Sequence, residues 1–285
     1  MTETNYIPKI IHQIWWQGVN NLPTDYPIFS ESWKINNPQY KYLLWDQEKI
    51  ENLMSQYFPW FTNKFNSLPK MIQKIDAAKY MILYIYGGMY VDMDSECVKS
   101  IDDLVDGKEL VLVKLEESPL AKLFFYGTVN DTLQNNLIAT IPNHPFWIHC
   151  IKLIMQEDVN QQPYELHEKW IFRTTGPGLV TNAYYSFPNK ETFTLLGSDY
   201  VDPMTLCDYI ENQCDTRDCK KIFPNVYTIH HYGSQNKKYG WISGFGKDNV
   251  GTLCKYRKYF MSSLSLCIII IILFLFFYFT GRRLY

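Results

Sequence analysis

Apolar residues along the chain follow two different periods, and the two periods alternate from one segment to the next. Residues 9–18 (KIIHQIWWQG) form a β-branched and aromatic run that ends at glycine, which predicts a core strand followed by a loop. Pro23 and Pro27 are expected to break the chain, and residues 30–45 then predict a helix and a short strand. Residues 46–58 open with an aspartate cap and continue as an amphipathic helix.

The clearest change of period lies near the middle of the chain. Residues 71–86 (MIQKIDAAKYMILYIY) are good helix formers without proline, and the glycine pair 87–88 is typical of a helix C-terminus. Residues 89–94 (MYVDMD) then alternate with period two. A strand here would place three side chains on one face, namely Tyr90, Asp92 and Asp94. The alternation therefore predicts that both aspartates point the same way.

The rest of the chain continues the alternation of helix and strand. Strands are predicted at 109–115, 192–196 and 225–232 and a helix at 144–157, while residues 174–185 predict a glycine turn that leads into another helix. No internal repeat or long low-complexity linker interrupts this order. The pattern predicts one α/β domain, spanning residues 1–251, with a mostly parallel sheet.

The C-terminal segment has a different character. Residues 260–280 (FMSSLSLCIIIIILFLFFYFT) carry no charge and would extend about 30 Å as a helix, enough to cross a bilayer. We interpret them as a transmembrane helix in preference to a buried core helix, because basic residues flank them on both sides. Residues 252–259 then form a basic juxtamembrane linker, and residues 281–285 a short tail. The N-terminus lacks a signal-peptide pattern, so a single-pass protein is expected whose main domain faces the cytosol.

Composition excludes some classes of function. Of the 285 residues, 47 % are hydrophobic and 16 % aromatic, which suffices for a substantial core. The formal net charge of −2 lacks the basic excess that binding to a phosphate backbone requires, so no nucleic-acid partner is expected.

The seven cysteines do not form a disulfide framework, because their number is odd and their spacing does not repeat. Cys214 and Cys219 would pair in an oxidising compartment, whereas reduced thiols are expected in the cytosol. A zinc site from Cys207, Cys214 and Cys219 is a further alternative, although no CxxC spacing supports it.

Asp92 and Asp94 are the main candidates for chemistry, because open α/β sheets bind ligands at the carboxyl ends of their strands. Two carboxylates there suit Mg²⁺ or Mn²⁺, which would neutralise a diphosphate. The plain alternative is a pair of solvated loop aspartates. A calcium-binding EF-hand is excluded, because its sixth and twelfth positions would be Cys97 and Asp103. An aspartyl phosphotransferase of the haloacid-dehalogenase type is the runner-up, although it calls for threonine where this chain has Glu96.

The context of the two aspartates closely resembles a known family. Residues 76–104 (DAAKYMILYIYGGMYVDMDSECVKSIDDL) are similar to glycosyltransferases with a sugar-binding DxD region, family 32. That group includes initiating α-1,6-mannosyltransferases and inositol-phosphoceramide mannosyltransferases, and is distantly related to clostridial glucosylating toxins. The resemblance covers roughly residues 7–245 through an ordered set of motifs: IPKIIHQIWW, NPQYKYLLWD, NNLIATIPNHPF, TTGPGLVTNAY and YTIHHYG.

The resemblance implies a GT-A fold and a retaining, metal-dependent transferase. It implies a nucleotide-sugar donor, GDP-mannose or a UDP-hexose, and Mn²⁺ or Mg²⁺ as cofactor. The transferred sugar would be a hexose, with mannose as the first choice, and the acceptor a glycan or a sphingolipid-type lipid. A C-terminal membrane span favours the lipid. The non-enzymatic alternative is a membrane-tethered GT-A scaffold that has lost turnover.

The same resemblance implies roles for individual residues. Asp94 would be the main metal ligand, and Asp92 would contact ribose or sugar hydroxyls and help to position the metal. Asp76 would bind hydroxyls of the donor sugar. Lys79 stands where the family usually has arginine; it keeps the charge but loses the two-pronged donor geometry. With the metal, Lys79 would stabilise the departing nucleoside diphosphate.

Four further features follow from the resemblance. Trp15 would stack on the nucleobase, with core packing as the alternative. His230 or His231 would add a ligand to the metal; adjacent residues on a strand point opposite ways, and we prefer His230. Residues 176–178 (GPG) would shape an acceptor-side turn or simply start a helix. The tryptophan expected soon after the histidines is delayed to Trp241, so the loop there is predicted to close differently or to bind another acceptor.

Overall fold

The structure is a computed structural model that describes residues 6–115, 130–163, 165, 167–204 and 221–233. Its strands are β1 (Ile10–Ile14), β2 (Lys41–Trp45), β3 (Gly88–Val91), β4 (Ser95–Cys97), β5 (Leu110–Leu115), β6 (Thr132–Leu133), β7 (Leu137–Thr140), β8 (Phe193–Leu196) and β9 (Thr228–His230). Its helices are α1 (Tyr26–Asn36), α2 (Gln47–Tyr57), α3 (Thr62–Ser67), α4 (Met71–Tyr86), α5 (Asp102–Val105), α6 (Pro145–Gln156), α7 (His167–Thr174) and α8 (Pro177–Ser186).

The central sheet is mixed, and most of its strands share one direction. Its order is β2-β1-β3-β7-β5-β6, with β8 paired to β5. The pairs β1–β2, β1–β3 and β5–β8 are parallel, whereas β7 runs antiparallel between β3 and β5. The predicted α/β class with mainly parallel strands is therefore confirmed, with β7 and β6 as the strands that run the other way. A separate antiparallel pair, β4–β9, lies beside the sheet.

Alternate strand residues enter two hydrophobic clusters, one on each face of the sheet. Tyr90 and Ile138 join the larger cluster, which contains the buried face of α4 and α6. Met89 and Val91 join the smaller cluster on the opposite face, where Trp33 of α1 packs. Because both faces are covered by helices, the strands are apolar nearly throughout, as is usual for sheets of this architecture.

Most predicted helices begin and end close to their predicted residues. Helix α4 has the predicted bounds, and Asp46 caps α2 by accepting a hydrogen bond of 3.0 Å from the amide of Lys49. The expectation that Pro27 breaks the chain was wrong. Pro27 lies in the first turn of α1, where its missing N–H has no helical partner to lose, so the helix begins at Tyr26.

Other boundaries differ for local reasons. The strand predicted over 89–94 ends at Val91, because the amide of Ser95 donates to the carbonyl of Asp92 over 3.2 Å and turns the chain. Within 174–185 the predicted glycine turn does lead into a helix, α8, which begins at Pro177, whereas helix α7, which ends at Thr174, was not predicted. Strand β9 is confined to Thr228–His230 within the predicted 225–232.

Several predictions lie outside the described residues: the linker at 252–259, the transmembrane segment at 260–280, the tail at 281–285, Trp241, and the cysteines 207, 214 and 219. Among the helices that the structure does describe, none combines the length and the apolar character needed to cross a bilayer. Two cysteines in the described part, Cys97 and Cys150, are buried.

Candidate functional site

Asp92, Asp94 and His230 converge at the end of β3. One ligand atom from each side chain lies within 4.8 Å of the others. The two aspartates meet because the chain turns after Val91, not because they alternate along a strand. His230 reaches them because β9 pairs with β4, which places His230 opposite Ser95. Sequence positions 138 residues apart thus form one group of oxygen and nitrogen donors.

Asp94 is held from two sides. Its Oδ1 lies 3.1 Å from Nε2 of His230, and its Oδ2 accepts a hydrogen bond of 2.6 Å from the amide of Gly233. Burial alone would raise the pKa of the Asp94 carboxyl, but the charge and hydrogen bond of His230, with the Gly233 amide, lower this pKa. Burial would lower the pKa of His230, and the surrounding carboxylates, Asp94 first, raise it. Asp94 is therefore a carboxylate at neutral pH.

The two adjacent histidines point to different partners. His231 donates its amide to the carbonyl of Asp94 over 2.8 Å, while its Nε2 lies 3.0 Å from Oε2 of Glu96. Its ring stacks on Phe29 with a centroid distance of 4.2 Å. The structure thus brings His230 and not His231 to the two aspartates, and we leave His231 out of the candidate ligand set.

Lys79 lies buried between Asp76 and Asp92. Its Nζ is 3.1 Å from Oδ1 of Asp76, 3.0 Å from Oδ1 of Asp92, and 3.4 Å from the carbonyl of Asn135. Asp92 also accepts a hydrogen bond of 2.7 Å from the hydroxyl of Tyr90. The lysine is only 2 % exposed, so it is not a surface side chain with its ammonium in water. All three ammonium protons have acceptors within the protein.

The charges of this group depend on one another. Burial would lower the pKa of Lys79, but Asp92 and Asp76 together outweigh burial and raise it. Burial raises the pKa of Asp76, against the effect of Lys79 and of the Thr175 hydroxyl, which donates to Oδ2 over 3.1 Å. One ammonium thus serves two carboxylates, and the site keeps an excess of negative charge.

Trp15 follows β1 at the rim of the site. Its Nε1 donates to the carbonyl of Asn21 over 2.9 Å, and its ring meets Tyr26 edge to face with a centroid distance of 5.3 Å. Tyr26 in turn lies against Gly233, where an added Cβ would clash with the tyrosine hydroxyl. The half-buried indole is therefore three contacts away from Asp94, through Tyr26 and Gly233. Its predicted stacking on a nucleobase stays a prediction.

The segment 176–178 does start a helix. Gly176 is the N-cap residue of α8, and Pro177 is its first residue. Both glycines are closely packed against Phe172. A Cβ added at Gly176 would lie 3.2 Å from Cα of Phe172, and a Cβ added at Gly178 would lie 2.8 Å from its carbonyl oxygen. An added Cβ at Gly176 would also lie 3.6 Å from Oδ2 of Asp76, so this helix start borders the site.

The sequence did not predict Asn135, Asn136 and Asp202 as site residues. The Asn135 amide donates to Oδ1 of Asp76 over 2.9 Å, and the Asn136 carbonyl accepts the amide of Asp92 over 2.8 Å. The Asn136 side chain donates to Oδ2 of the buried Asp202. The only sequence signal was the pair of asparagines directly before the apolar run 137–141, in a motif that was recognised without assigning roles to them.

The residues present fit a divalent cation. Asp76, Asp92, Asp94 and Asp202 carry four carboxyl groups, while Lys79 and His230 are the basic side chains in contact with them in the described part of the chain. Such an excess of buried or half-buried negative charge is costly unless a cation compensates it. Carboxylate oxygen and imidazole nitrogen together suit Mn²⁺, and carboxylates suit Mg²⁺.

Comparison with known proteins shows which family the region around the two aspartates resembles. Residues 27–111, which contain both aspartates, match the family model described as "Glycosyltransferase sugar-binding region containing DXD motif". Residues 27–111 are therefore similar to the DXD glycosyltransferases. The family predicted from residues 76–104 is thus confirmed.

Relatives of this glycosyltransferase region carry related names. Inositol phosphoceramide mannosyltransferase 1 of Schizosaccharomyces pombe is 34 % identical over 152 residues, which is 52 % of this chain and 43 % of the relative. Mannosyl phosphorylinositol ceramide synthase CSH1 of Saccharomyces cerevisiae is 31 % identical over 178 residues, covering 61 % and 42 %. An uncharacterized glycosyltransferase, L373 of Acanthamoeba polyphaga mimivirus, is 28 % identical over 244 residues, covering 78 % and 90 %.

The chain spans about half the length of the Schizosaccharomyces pombe mannosyltransferases that it matches, between 43 % and 53 %. Among solved structures, the PaToxG glycosyltransferase matches with 20 % identity and a TM-score of 0.45, over 63 % of this chain and 69 % of that one.

Proposed function

We propose that the chain is a divalent-metal-dependent glycosyltransferase of the GT-A type. It transfers a hexose, mannose first, from a nucleotide sugar to a glycan or lipid acceptor, with retention at the anomeric carbon. The observation that carries this proposal is the convergence of Asp92, Asp94 and His230 next to the buried Asp76–Lys79 pair, with the four residues other than His230 lying in the region that matches the DXD family model.

Asp94, Asp92 and His230 would hold the cation. Asp94 stays ionised at neutral pH, and the Gly233 amide fixes the direction of its carboxylate. Asp92 uses Oδ1 for Lys79 and Tyr90, so among the described residues its second oxygen remains for the ligand. When bound, Mn²⁺ or Mg²⁺ would supply positive charge that neutralises the donor diphosphate and stabilises the negative charge on the nucleoside diphosphate as it leaves.

The donor sugar would lie beside Asp76. The side chains of Asn135 and Thr175 each donate a hydrogen bond to one oxygen of this carboxylate, and Gly176, the N-cap residue of α8, lies next to it. Lys79 acts here by fixing Asp76 and Asp92, because its ammonium is fully occupied by protein acceptors. Its direct contact with the leaving group, as the family resemblance implies, would require one of these bonds to break. Trp15 at the rim would take the nucleobase.

The names of the relatives support the choice of sugar and acceptor. Several are named for transfer of mannose to inositol phosphoceramide, which favours a GDP-mannose donor and a sphingolipid-type acceptor over a UDP-hexose and a glycan. The uncharged segment 260–280 would anchor the chain as a single-pass membrane protein and keep the site near lipid head groups.

The function is tested with the full chain in detergent, Mn²⁺ and a panel of nucleotide sugars, by measuring released nucleoside diphosphate. We expect release from one donor, lost on chelation and reduced at least about 100-fold by Asp94→Asn. Asp106→Asn, an exposed aspartate away from the site, serves as the matched control. Metal-dependent donor binding without release would support the scaffold alternative. Phosphate released from a phosphomonoester would support the aspartyl phosphotransferase.

A further inference from the structure

Asp202 is a buried carboxylate beside the candidate metal site. It is 7 % exposed and has a φ of 54°, a left-handed conformation that few residue types other than glycine and asparagine share with aspartate. It follows Val201, which forms a parallel bridge with Thr228 of β9. In the described part of the chain, no lysine or arginine pairs with it.

Asp202 connects the two segments that supply the candidate ligands. Its Oδ1 accepts a hydrogen bond of 3.0 Å from the Thr228 hydroxyl, and its amide donates to the Thr228 carbonyl over 3.2 Å. Thr228 lies two residues before His230, on the same strand and the same face. On the other side, Oδ2 of Asp202 accepts a hydrogen bond from the side-chain amide of Asn136. The backbone carbonyl of Asn136 in turn accepts a hydrogen bond from the backbone amide of Asp92.

The negative charge of the Asp202 carboxylate lies beside the candidate metal site, as do its hydrogen bonds. The carboxylate accepts hydrogen bonds from two neutral partners, a hydroxyl and an amide, and its negative charge interacts favourably with the nearby candidate ligand His230. A negative group beside a metal site strengthens cation binding, and groups behind the ligands that orient them typically change metal affinity 10- to 100-fold.

We infer that Asp202 is a positioning residue for the divalent cation: it aligns β9, and with it His230, against Asp92, and adds negative charge behind the ligands. This inference rests on the proposed function, because it concerns the affinity of the same metal site.

The test measures Mn²⁺ binding to the full chain in detergent by electron paramagnetic resonance of free Mn²⁺. Asp202→Asn keeps the size of the side chain and the acceptor for Thr228 but removes the charge. The buried Oδ1 of Asn136 has no hydrogen-bond partner in the described structure, so its amide can turn to accept from the new amide. We expect about 10- to 100-fold weaker Mn²⁺ binding, with Asp106→Asn binding like the wild type.

A second pair of variants covers the case in which Asp202→Asn does not fold. Thr228→Val removes the hydroxyl that holds the carboxylate, and Thr228→Ser retains it. We expect Thr228→Val to bind Mn²⁺ at least about threefold more weakly than Thr228→Ser. Wild-type affinity in a folded Asp202→Asn, or equal affinity of the two Thr228 variants, would overturn the role of Asp202 and leave the proposed function intact. A wild type that binds no Mn²⁺ would overturn both.

Discussion

The imidazole of His12 is held in one neutral tautomer by two hydrogen bonds. The indole N–H of Trp45 donates to Nδ1 over 3.0 Å, and Nε2 donates to the carbonyl of Gly87 over 2.9 Å. A proton on Nδ1 would face the indole donor directly. Burial, with a smaller effect of Lys41, lowers the pKa of His12 to about 4. This histidine, which lies within the first predicted strand, is therefore a structural link between β1, β2 and the end of α4.

His12 makes stability depend on pH. Between about pH 6.5 and pH 4 the unfolded chain binds a proton at this histidine and the folded chain does not, so folding stability falls as pH falls through this window. The shift from 6.5 to about 4 corresponds to about 3 kcal/mol. Urea unfolding at a series of pH values should show this loss in the wild type and a flatter dependence in His12→Gln.

The matched control for His12 is His167→Gln, at the half-buried start of α7. It should leave the pH dependence of the free energy of unfolding parallel to that of the wild type. If His12→Gln also gives a parallel curve, the buried imidazole does not control stability in this window.

Lys79 is the second residue whose substitution should lower the stability of the whole fold. Lys79→Met would leave Asp76 and Asp92 in contact with no ammonium, and breaking a buried ion pair by removing one partner typically costs about 3–5 kcal/mol. Thermal unfolding of the full chain should show this loss. Lys74→Met, at a half-buried position on the same helix, should change stability by about 1 kcal/mol or less. Equal melting of the two variants would mean that the acids do not need the lysine.

At the scale of elements, the sequence predicted which helices and strands exist better than it predicted the residues at which they begin and end. The long periodic helix α4 has its predicted bounds because its apolar positions and the glycine pair act together. The short elements β4, β6 and β7 were not predicted as strands, since two to four residues carry too little periodicity. The aspartates of the DXD turn were predicted to converge, but the turn after Val91, not strand alternation, brings them together.

Gly88 begins β3 with a φ of 85°, tight against β1. A Cβ there would lie 2.6 Å from the carbonyl oxygen of Ile10 and 3.3 Å from Nε2 of His12. Gly88→Ala should therefore destabilise the protein by roughly 2–4 kcal/mol, the sum of left-handed strain and overpacking. Gly107→Ala is the control, because Gly107 has a φ of 65° with no atom within 4 Å of its added Cβ.

Gly107→Ala isolates the conformational strain and should cost about 1–2 kcal/mol. The difference between the two alanine variants, measured by urea unfolding, then gives the cost of crowding β3 against β1. Equal losses would mean that the strands separate enough to admit a methyl group, and the register of β1 and β3 would not depend on this glycine.

At the scale of the molecule, the parts of the site that lie near the DXD turn in sequence were easier to predict than the parts that the fold brings in. Asp76, Lys79, Asp92 and Asp94 fall within a segment of known pattern. Asn135, Asn136 and Asp202 reach the site through β7 and the β4–β9 pair, and pairings between distant segments are not visible in local periodicity. His230 was predicted only because the family resemblance pointed to the histidine pair.

The uncharged segment 260–280 predicts that the molecule partitions into membranes and not into the aqueous phase. Full-length chain should sediment with microsomal membranes and resist alkaline extraction, because an apolar helix of about 20 residues spans the hydrocarbon core. A chain ended after Gly251 should stay in the supernatant. The double variant Ile270→Arg and Phe274→Arg keeps the length but places two charges mid-segment, each costing about 2.5–3.5 kcal/mol for insertion. It should be extracted like the truncated chain. If the truncated chain still sediments, a surface within residues 1–251 must bind the membrane.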